Sequence, residues 1–226
     1  VNASDFTDAD EIVNKDAVST MTALGIINGK EDGSYFDPTG NVTRAEMAKM
    51  LCVAINGGVD PVLGVKDTPT FTDIKGTWAE SYIEYCAANG IIAGRGNNKF
   101  DPTGTVSATE AAKMLLGVLG YNAEKSGLVG NDWAINTNVL ANQNGLYKNL
   151  ANLNANTLLT RDNAAQMIYN ALDANMVELN AAGNYTTSQY SYTGTESVVT
   201  GTERVWVLTI KENNCTDSGI KAAVDA

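Results

Sequence analysis

A four-residue segment, Thr43-Arg44-Ala45-Glu46, contains the residues of this sequence that are best placed to do chemistry. Thr43 and Glu46 have the spacing of a capping box, in which both side chains accept hydrogen bonds from backbone N–H groups at a helix start. Arg44 is out of place there, because a cation in the first turn opposes the helix dipole by roughly a few tenths of a kcal/mol. An acidic ligand would offset this, since unpaired N–H groups attract anions and a guanidinium binds a carboxylate through two hydrogen bonds. From these residues alone, Arg44 is either the cation of an anion-binding site or a solvated side chain that forms at most a weak surface ion pair.

The segment is part of a long internal repeat. Residues 6–51 and 71–115 share Phe-Thr-Asp, an apolar helix pattern, Gly-Ile-Ile, Phe-Asp-Pro-Thr-Gly and a helix that contains Ala-Lys-Met-Leu. A third copy is weaker: it keeps Trp133 and the Thr160-Arg161 pair, but lacks the Phe-Thr-Asp opening and the Phe-Asp-Pro-Thr-Gly turn. One such unit cannot bury its own apolar face, so we expect the copies to pack on one another.

Each copy is predicted to form a helix, a loop and a second helix. In the second copy Trp78, Tyr82 and Cys86 recur at the spacing of an apolar helix face, and a second helix begins at Ser107 with Glu110 as its capping-box partner. The end of the chain is rich in Thr, Tyr and Val and alternates as strands do. The predicted fold is mainly α, with three helix-loop-helix repeats and a β-rich C-terminal segment that reads as the start of a further domain. The predicted boundaries are 1–56, 57–120 with a linker at 57–70, 121–175 and 176–226.

The composition argues against several classes of function. A net charge of −11 opposes non-specific binding to nucleic acid, which needs a broad basic surface. The absence of histidine removes the commonest general base and metal ligand. Cys52, Cys86 and Cys215 show no disulfide or zinc spacing, and the first two read as small core residues. No stretch approaches the roughly 20 apolar residues that cross a bilayer. We expect a binding module that is not an enzyme, needs no cofactor or metal and is not inserted in a membrane.

These motifs resemble those of the S-layer homology family. Its repeats open with Phe-x-Asp and Trp-Ala, reach Gly-Ile-Ile-x-Gly, and pass through a Phe-x-Pro turn to a Thr-Arg-Ala-Glu helix start. The first copy has this pattern except for the Trp-Ala pair, which is replaced by Val13 and Asn14. The second has Trp-Ala but places Ala108 where the first has Arg44. The resemblance extends over about three quarters of the chain.

The resemblance implies a pseudo-three-fold helical prism with grooves between neighbouring repeats. It also implies a secreted protein of the bacterial cell surface that binds anionic, pyruvylated secondary cell-wall polysaccharide without a covalent bond. In that family the helix-start arginine contacts the acidic group, while aromatic residues and loop glycines shape the groove. The residues assigned to the glycan on this basis are Arg44, Arg161, Trp78, Trp133, Gly29, Gly94 and Arg95. Those assigned to helix caps are Thr43, Glu46, Ser107, Glu110 and Thr160.

Some of these assignments have two interpretations. Trp78 and Trp133 either stack on a sugar ring or fill the space between helices. Gly29 and Gly94 either form turns or allow a ligand to approach the backbone.

Ala108 occupies the arginine position of the second repeat. The sequence predicts either a weakened groove there or one whose cation is Arg95 or, less suitably, Lys113. For Arg44 it predicts that replacement by Ala weakens glycan binding by about 1–3 kcal/mol, the range for a charge-assisted hydrogen bond, with little change in melting temperature.

Two other functions fit the same sequence. The repeats are alternatively a lattice or assembly element of an S-layer that self-associates and has little glycan affinity. They are also compatible with the anchor of an exoenzyme whose catalytic domain lies outside these residues.

Overall fold

The computed structural model describes residues 2–150 and 157–187 in full and the backbone of residues 190–200 and 203–212. The predicted mainly α fold is confirmed. Its helices are α1 (Lys15–Ala23), α2 (Arg44–Ile55), α3 (Glu80–Ala88), α4 (Ala108–Leu119), α5 (Trp133–Gln143) and α6 (Arg161–Leu172). Its strands are β1 (Val177–Leu179), β2 (Tyr185–Thr187), β3 (Tyr190–Thr200) and β4 (Glu203–Glu212), paired as the antiparallel hairpins β1–β2 and β3–β4. Cys215 lies outside the described residues.

The three repeats pack on one another in a closed cycle. Helix α2 of the first repeat packs against α3 of the second, α4 of the second against α5 of the third, and α6 of the third against α1 of the first. Helix α4 also contacts α2 and α6, so the second helices of the repeats meet at the centre. Each repeat thus buries its apolar face on its neighbours, as the repeat pattern predicts.

Three backbone hydrogen bonds close this cycle at its centre. The N–H of Val42 donates to the carbonyl of Leu159 at 3.0 Å, that of Leu159 to Val106 at 2.8 Å, and that of Val106 to Val42 at 3.1 Å. Each of these residues lies just before the second helix of its repeat, and all three are buried. Because each residue both donates and accepts within the ring, their buried N–H and C=O groups are paired.

A carboxylate fixes the loop between the two helices in the first and second repeats. Asp73 accepts hydrogen bonds from the N–H groups of Phe100 and Asp101 at 2.9 and 2.8 Å, and Asp8 makes the equivalent pair in the first repeat at the same distances. The rings of Phe71 and Phe100 pack with their centroids 5.4 Å apart. These contacts explain why Phe-Thr-Asp and Phe-Asp-Pro recur together in the sequence.

The described residues contain neither a membrane-spanning helix nor a metal cluster. Within these ranges, every helix is too short or too polar to span a bilayer. No group of three or more His, Cys, Asp or Glu side chains in the same ranges is arranged to hold a metal ion.

Asp73 provides a test of the loop architecture. Although partial burial raises its pKa, the hydrogen bonds from Phe100 and Asp101 lower the pKa below the ordinary aspartate value. A lowered folded-state pKa adds stability above the unfolded-state pKa, and that stability is lost as the pH falls through the folded-state pKa. We therefore expect Asp73→Asn to lower the melting temperature at pH 7, and the difference from the parent protein to shrink below about pH 4. Thermal unfolding followed by circular dichroism across this pH range measures both effects.

Asp67→Asn is the matched control, because it removes the same charge from an exposed linker position. Equal melting temperatures for the two variants at pH 7, or an Asp73→Asn deficit that stays constant down to pH 2, would contradict the role assigned to this carboxylate.

Candidate functional site

The second helices begin with the predicted capping residues. The hydroxyl of Thr43 accepts from the N–H of Glu46 at 3.1 Å, and the Glu46 carboxylate accepts from the N–H of Thr43 at 3.0 Å. Ser107 and Glu110 form the same reciprocal pair, both bonds being 3.1 Å. At the start of α6 the hydroxyl of Thr160 accepts a backbone N–H at 3.2 Å, and an asparagine replaces the glutamate of the other repeats.

The N–H groups of Arg44 and Arg161, at the starts of α2 and α6, are not free to receive a ligand. The N–H of Arg44 donates to the carbonyl of Gly104 at 2.8 Å, and that of Arg161 donates to Gly40 at 2.9 Å. In both cases the acceptor belongs to the Phe-Asp-Pro-Thr-Gly loop of the adjacent repeat in the cycle. The sequence-based expectation of unpaired donors there is therefore wrong, because packing between repeats satisfies them.

The Arg44 side chain also has protein partners. It is 4% exposed, its Nε donates to the carbonyl of Phe100 at 2.8 Å, and its Nη2 donates to the carbonyl of Ala93 at 2.7 Å. Nη1 lies 3.3 Å from Oε2 of Glu110, and the guanidinium carbon is 4.4 Å from the centre of the Phe100 ring. The unfavourable dipole interaction is thus offset within the protein. Arg44 joins the first repeat to the loop of the second.

Arg161 repeats this arrangement between the third and first repeats. Its Nε donates to the carbonyl of Phe36 at 2.8 Å, its Nη2 donates to the carbonyl of Asn28 at 2.6 Å, and its guanidinium carbon lies 4.9 Å from the centre of the Phe36 ring. Burial lowers the pKa of Arg161, and burial followed by repulsion from Arg95 lowers the pKa of Arg44. Both arginines are therefore structural bridges as well as candidate ligand contacts.

A cleft of about 400 Å³ opens beside Arg44, and we call it the Arg44 cleft. All three repeats contribute to it: the first supplies an arginine, the second a loop and a helix face, and the third a tryptophan. The lining residues with the clearest chemical roles are Arg44, Gly94, Arg95, Glu110, Lys113 and Trp133.

The Arg44 cleft is positively charged. Oε2 of Glu110 lies 2.9 Å from Nη2 of Arg95 and 3.3 Å from Arg44, so one carboxylate serves two guanidiniums. Nζ of Lys113 lies 5.5 Å from the centre of the Trp133 ring. Burial lowers the pKa of Lys113 because it disfavours the charged form. The positive charge of Arg44 lowers that pKa further because the two cations repel one another. An anion entering the cleft would relieve that repulsion.

The structure corrects the expected role of Arg95. Ala108 lies at a different interface, where it is buried and its N–H donates to the carbonyl of Thr157 at 3.1 Å. Arg95 and Lys113 lie beside Arg44 instead, so neither replaces the arginine missing at Ala108. The expectation was wrong because the loop of each repeat packs against the start of the second helix of the preceding repeat. It does not pack against the start of the second helix of its own repeat.

A second cleft, of about 540 Å³, contains Trp78. This side chain is 59% exposed, so it does not fill the core. The described residues that line the cleft include the Glu46 carboxylate and no cationic side chain. Lys49, the repeat equivalent of Lys113, lies instead 4.0 Å from a carboxylate oxygen of Asp60 in the linker. Fewer cationic side chains therefore line the Trp78 cleft than the Arg44 cleft, although Arg161 interacts electrostatically with Glu46 at the same interface.

Among the described residues, the third interface lacks the groups found in the other two. Ala108 replaces the arginine, Asn163 the capping-box glutamate and Gln166 the lysine. Val13 stands where the other copies have tryptophan, and its N–H donates to a carboxylate oxygen of Asp162 at 2.7 Å. Of the three interfaces, the one with Arg44 has the chemistry of an anion site.

Gly29 and Gly94 are needed for close packing in their loops. A Cβ atom at Gly94 would lie 2.7 Å from the ring of Phe71 and 2.8 Å from the carbonyl of Lys99. At Gly29 it would lie 2.8 Å from the ring of Phe6. Gly94 also lines the Arg44 cleft, whereas Gly29 lines neither of the two clefts.

The sequence indicated only part of the role of Glu110. It was assigned to the helix cap, which uses one carboxylate oxygen, while the other oxygen holds Arg44 and Arg95. The sequence could have indicated the second role, because a carboxylate has two oxygens and the helix cap uses only one of them.

Comparison with known proteins identifies the repeats. The family model of the S-layer homology domain matches residues 5–48 and 70–112. The chain therefore contains S-layer homology domains at these two segments. It is 32% identical over 111 residues to the "S-layer protein" of Bacillus licheniformis, an alignment that covers 49% of this chain and 12% of the relative. It is 32% identical over 106 residues to "S-layer protein EA1" of Bacillus anthracis, covering 47% of this chain and 12% of the relative.

A further relative is named as an enzyme. The chain is 29% identical over 156 residues to "Exoglucanase XynX" of Acetivibrio thermocellus, covering 65% of this chain and 14% of the relative. The chain thus spans a small fraction of the length of these relatives. The S-layer homology domains and the S-layer relatives identify it as a cell-surface protein with a role in cell-wall anchoring.

The contacts of Arg44 lead to a prediction about stability. Arg44→Ala leaves two carbonyls without their donor and removes a partly buried ion pair, so we expect a loss of about 2–4 kcal/mol in the free energy of unfolding. Equilibrium unfolding in urea measures this loss. The expected value replaces the sequence-based expectation of little change in melting temperature.

Arg95→Ala is the matched control, since its side chain is 38% exposed and its ion pairs lie at the surface. Such pairs contribute about 0–1 kcal/mol. If both variants unfolded within 0.5 kcal/mol of each other, roughly the precision of such comparisons, the bridging role of Arg44 would be refuted.

Proposed function

We propose that this chain anchors a longer surface protein to the cell wall by binding an anionic, pyruvylated wall polysaccharide in the Arg44 cleft. The observation that carries the proposal is that three cationic side chains line one cleft together with a carboxylate and a tryptophan, in a chain of net charge −11. The S-layer homology domains support the wall as the location of the ligand.

Each cationic residue of the cleft would have a different role in binding. Arg44 is held by two carbonyls and supplies a fixed positive charge, so little conformational freedom is lost on binding. Arg95 is more exposed, and its guanidinium can release the Glu110 carboxylate and bind an acidic group of the ligand instead. Lys113 lies over the Trp133 ring, where a sugar stacked on the indole would meet its ammonium group.

Charge would also give the cleft its selectivity. A neutral glycan makes no ion pair with Arg95 or Lys113 and leaves their mutual repulsion unchanged. An acidic glycan gains charge-assisted hydrogen bonds, which are about twice as strong as neutral ones. Binding should therefore weaken as salt is added, because part of the cleft is open to solvent.

Binding to isolated wall sacculi tests the proposal. We expect Arg95→Ala and Lys113→Ala each to weaken binding by about 10-fold or more, since one charge-assisted hydrogen bond is worth about 1.5–3 kcal/mol. Chemical removal of the secondary polymer from the sacculi should abolish the binding. Co-sedimentation at several protein concentrations gives the dissociation constants.

Lys49→Ala is the matched control, because Lys49 is the repeat equivalent of Lys113 but lies near Asp60 of the linker and not in the Arg44 cleft. We expect it to bind within about twofold of the parent, less than 0.5 kcal/mol. Equal losses for Lys49→Ala and Lys113→Ala, or undiminished binding to sacculi without the polymer, would rule out the Arg44 cleft as the site.

A second candidate function concerns the longer protein and is favoured by the exoglucanase relative. The same cleft would then hold an exoenzyme at the wall, and we propose that the described residues themselves are not catalytic. An S-layer lattice role, suggested by the S-layer relatives, predicts self-association instead, which sedimentation velocity of the purified chain detects.

A further inference from the structure

Two cysteines face each other across the first junction of the repeat cycle. Cys52 lies in α2 of the first repeat and Cys86 in α3 of the second, 34 positions later. Their Sγ atoms are 3.5 Å apart, and the residues are 1% and 0% exposed. The prediction that both are core residues is confirmed, but it does not explain why two thiols are placed in contact.

The surroundings of the two thiols hold them together. Sγ of Cys52 lies 3.7 Å from the carbonyl of Tyr82 in α3, and Sγ of Cys86 lies 3.7 Å from the carbonyl of Ala48 in α2. Each thiol therefore points at the backbone of the opposite helix. A disulfide needs the sulfurs at about 2.05 Å, so the two Sγ atoms have to approach one another by about 1.5 Å.

We propose that Cys52 and Cys86 are an oxidative modification site, at which an intramolecular disulfide joins the first and second repeats. The reaction is thiol–disulfide exchange with a low-molecular-weight disulfide or a disulfide-bearing oxidoreductase. A cysteine thiolate attacks the reagent, forming a mixed disulfide and releasing one reagent thiol. The second cysteine thiolate then attacks the protein sulfur of that mixed disulfide and releases the other thiol. Two electrons and two protons pass to the reagent.

The structure also determines when this reaction takes place. The interaction with Cys52, together with burial, raises the pKa of Cys86 far above its ordinary value, so the folded protein holds almost no thiolate there. The reagent has no access to sulfurs that are 1% or less exposed. Oxidation therefore precedes the packing of α3 on α2, during folding at the cell surface, where disulfides persist.

The cross-link would stabilise the cycle of repeats. It closes a loop of the chain that contains the whole of the linker at 57–70, and so reduces the entropy of the unfolded state. Neither cysteine lines the Arg44 cleft, so ligand binding is expected to be independent of the cross-link.

Refolding under oxidising conditions tests the proposal. The full chain is unfolded in denaturant and refolded with a mixture of oxidised and reduced glutathione. We expect a mass about 2 Da lower, a proteolytic peptide pair joining Cys52 to Cys86, and a melting temperature roughly 5–10 °C above that of the reduced protein. Cys86→Ser, refolded in the same mixture, is expected to show no 52–86 pair and no rise in melting temperature.

Folded, reduced protein in the same mixture is the second comparison. We expect its two thiols to stay free over the time in which the refolding protein is oxidised. The proposal is overturned if the refolded protein keeps both thiols open to alkylation in denaturant, if Cys215 is found paired to either cysteine, or if the cross-linked form melts below the reduced one. Equal oxidation rates for folded and refolding protein would overturn the assignment of the reaction to folding.

Discussion

A ring of three backbone hydrogen bonds between Val42, Val106 and Leu159 holds the three repeats together at the centre of the fold. It fixes the order in which the repeats meet, and so decides which helix start faces which loop. Because Val42 is bonded to Val106, the start of α2 lies against the loop of the second repeat, and Arg44 reaches the carbonyls of that loop. The Arg44 cleft is therefore a property of the closed cycle. A single repeat does not contain it.

The arginine at the helix start serves two purposes in this arrangement. Its buried hydrogen bonds tie one repeat to the next, and its charge contributes to the cleft on the other side. Glu110 has a matching double role, since one of its oxygens caps α4 and the other holds two guanidiniums. The same groups thus stabilise the fold and prepare the cleft, which is why Arg44→Ala alone cannot separate structure from binding. Arg95 and Lys113 can, because their contacts with the rest of the protein are weaker.

Local sequence patterns predicted the helices and their caps correctly. They could not predict which residues of different repeats contact one another. The capping residues Thr43 and Ser107 and the mainly α repeats follow from spacings of three or four residues, which short-range physics determines. The pairing of Arg44 with Ala93, by contrast, joins residues 49 positions apart and depends on the order of the cycle. That is why Arg95 was assigned to the wrong interface and why the helix-start N–H groups were expected to be free.

A crystal structure of the chain with an acidic fragment of the wall polysaccharide would show whether the Arg44 cleft binds it. We expect the sugar to lie on Trp133, with its acidic group within hydrogen-bond distance of Arg95 and near Arg44 and Lys113, while the Trp78 cleft stays empty. A fragment bound only in the Trp78 cleft, or one whose acidic group contacts none of these three cations, would contradict this expectation.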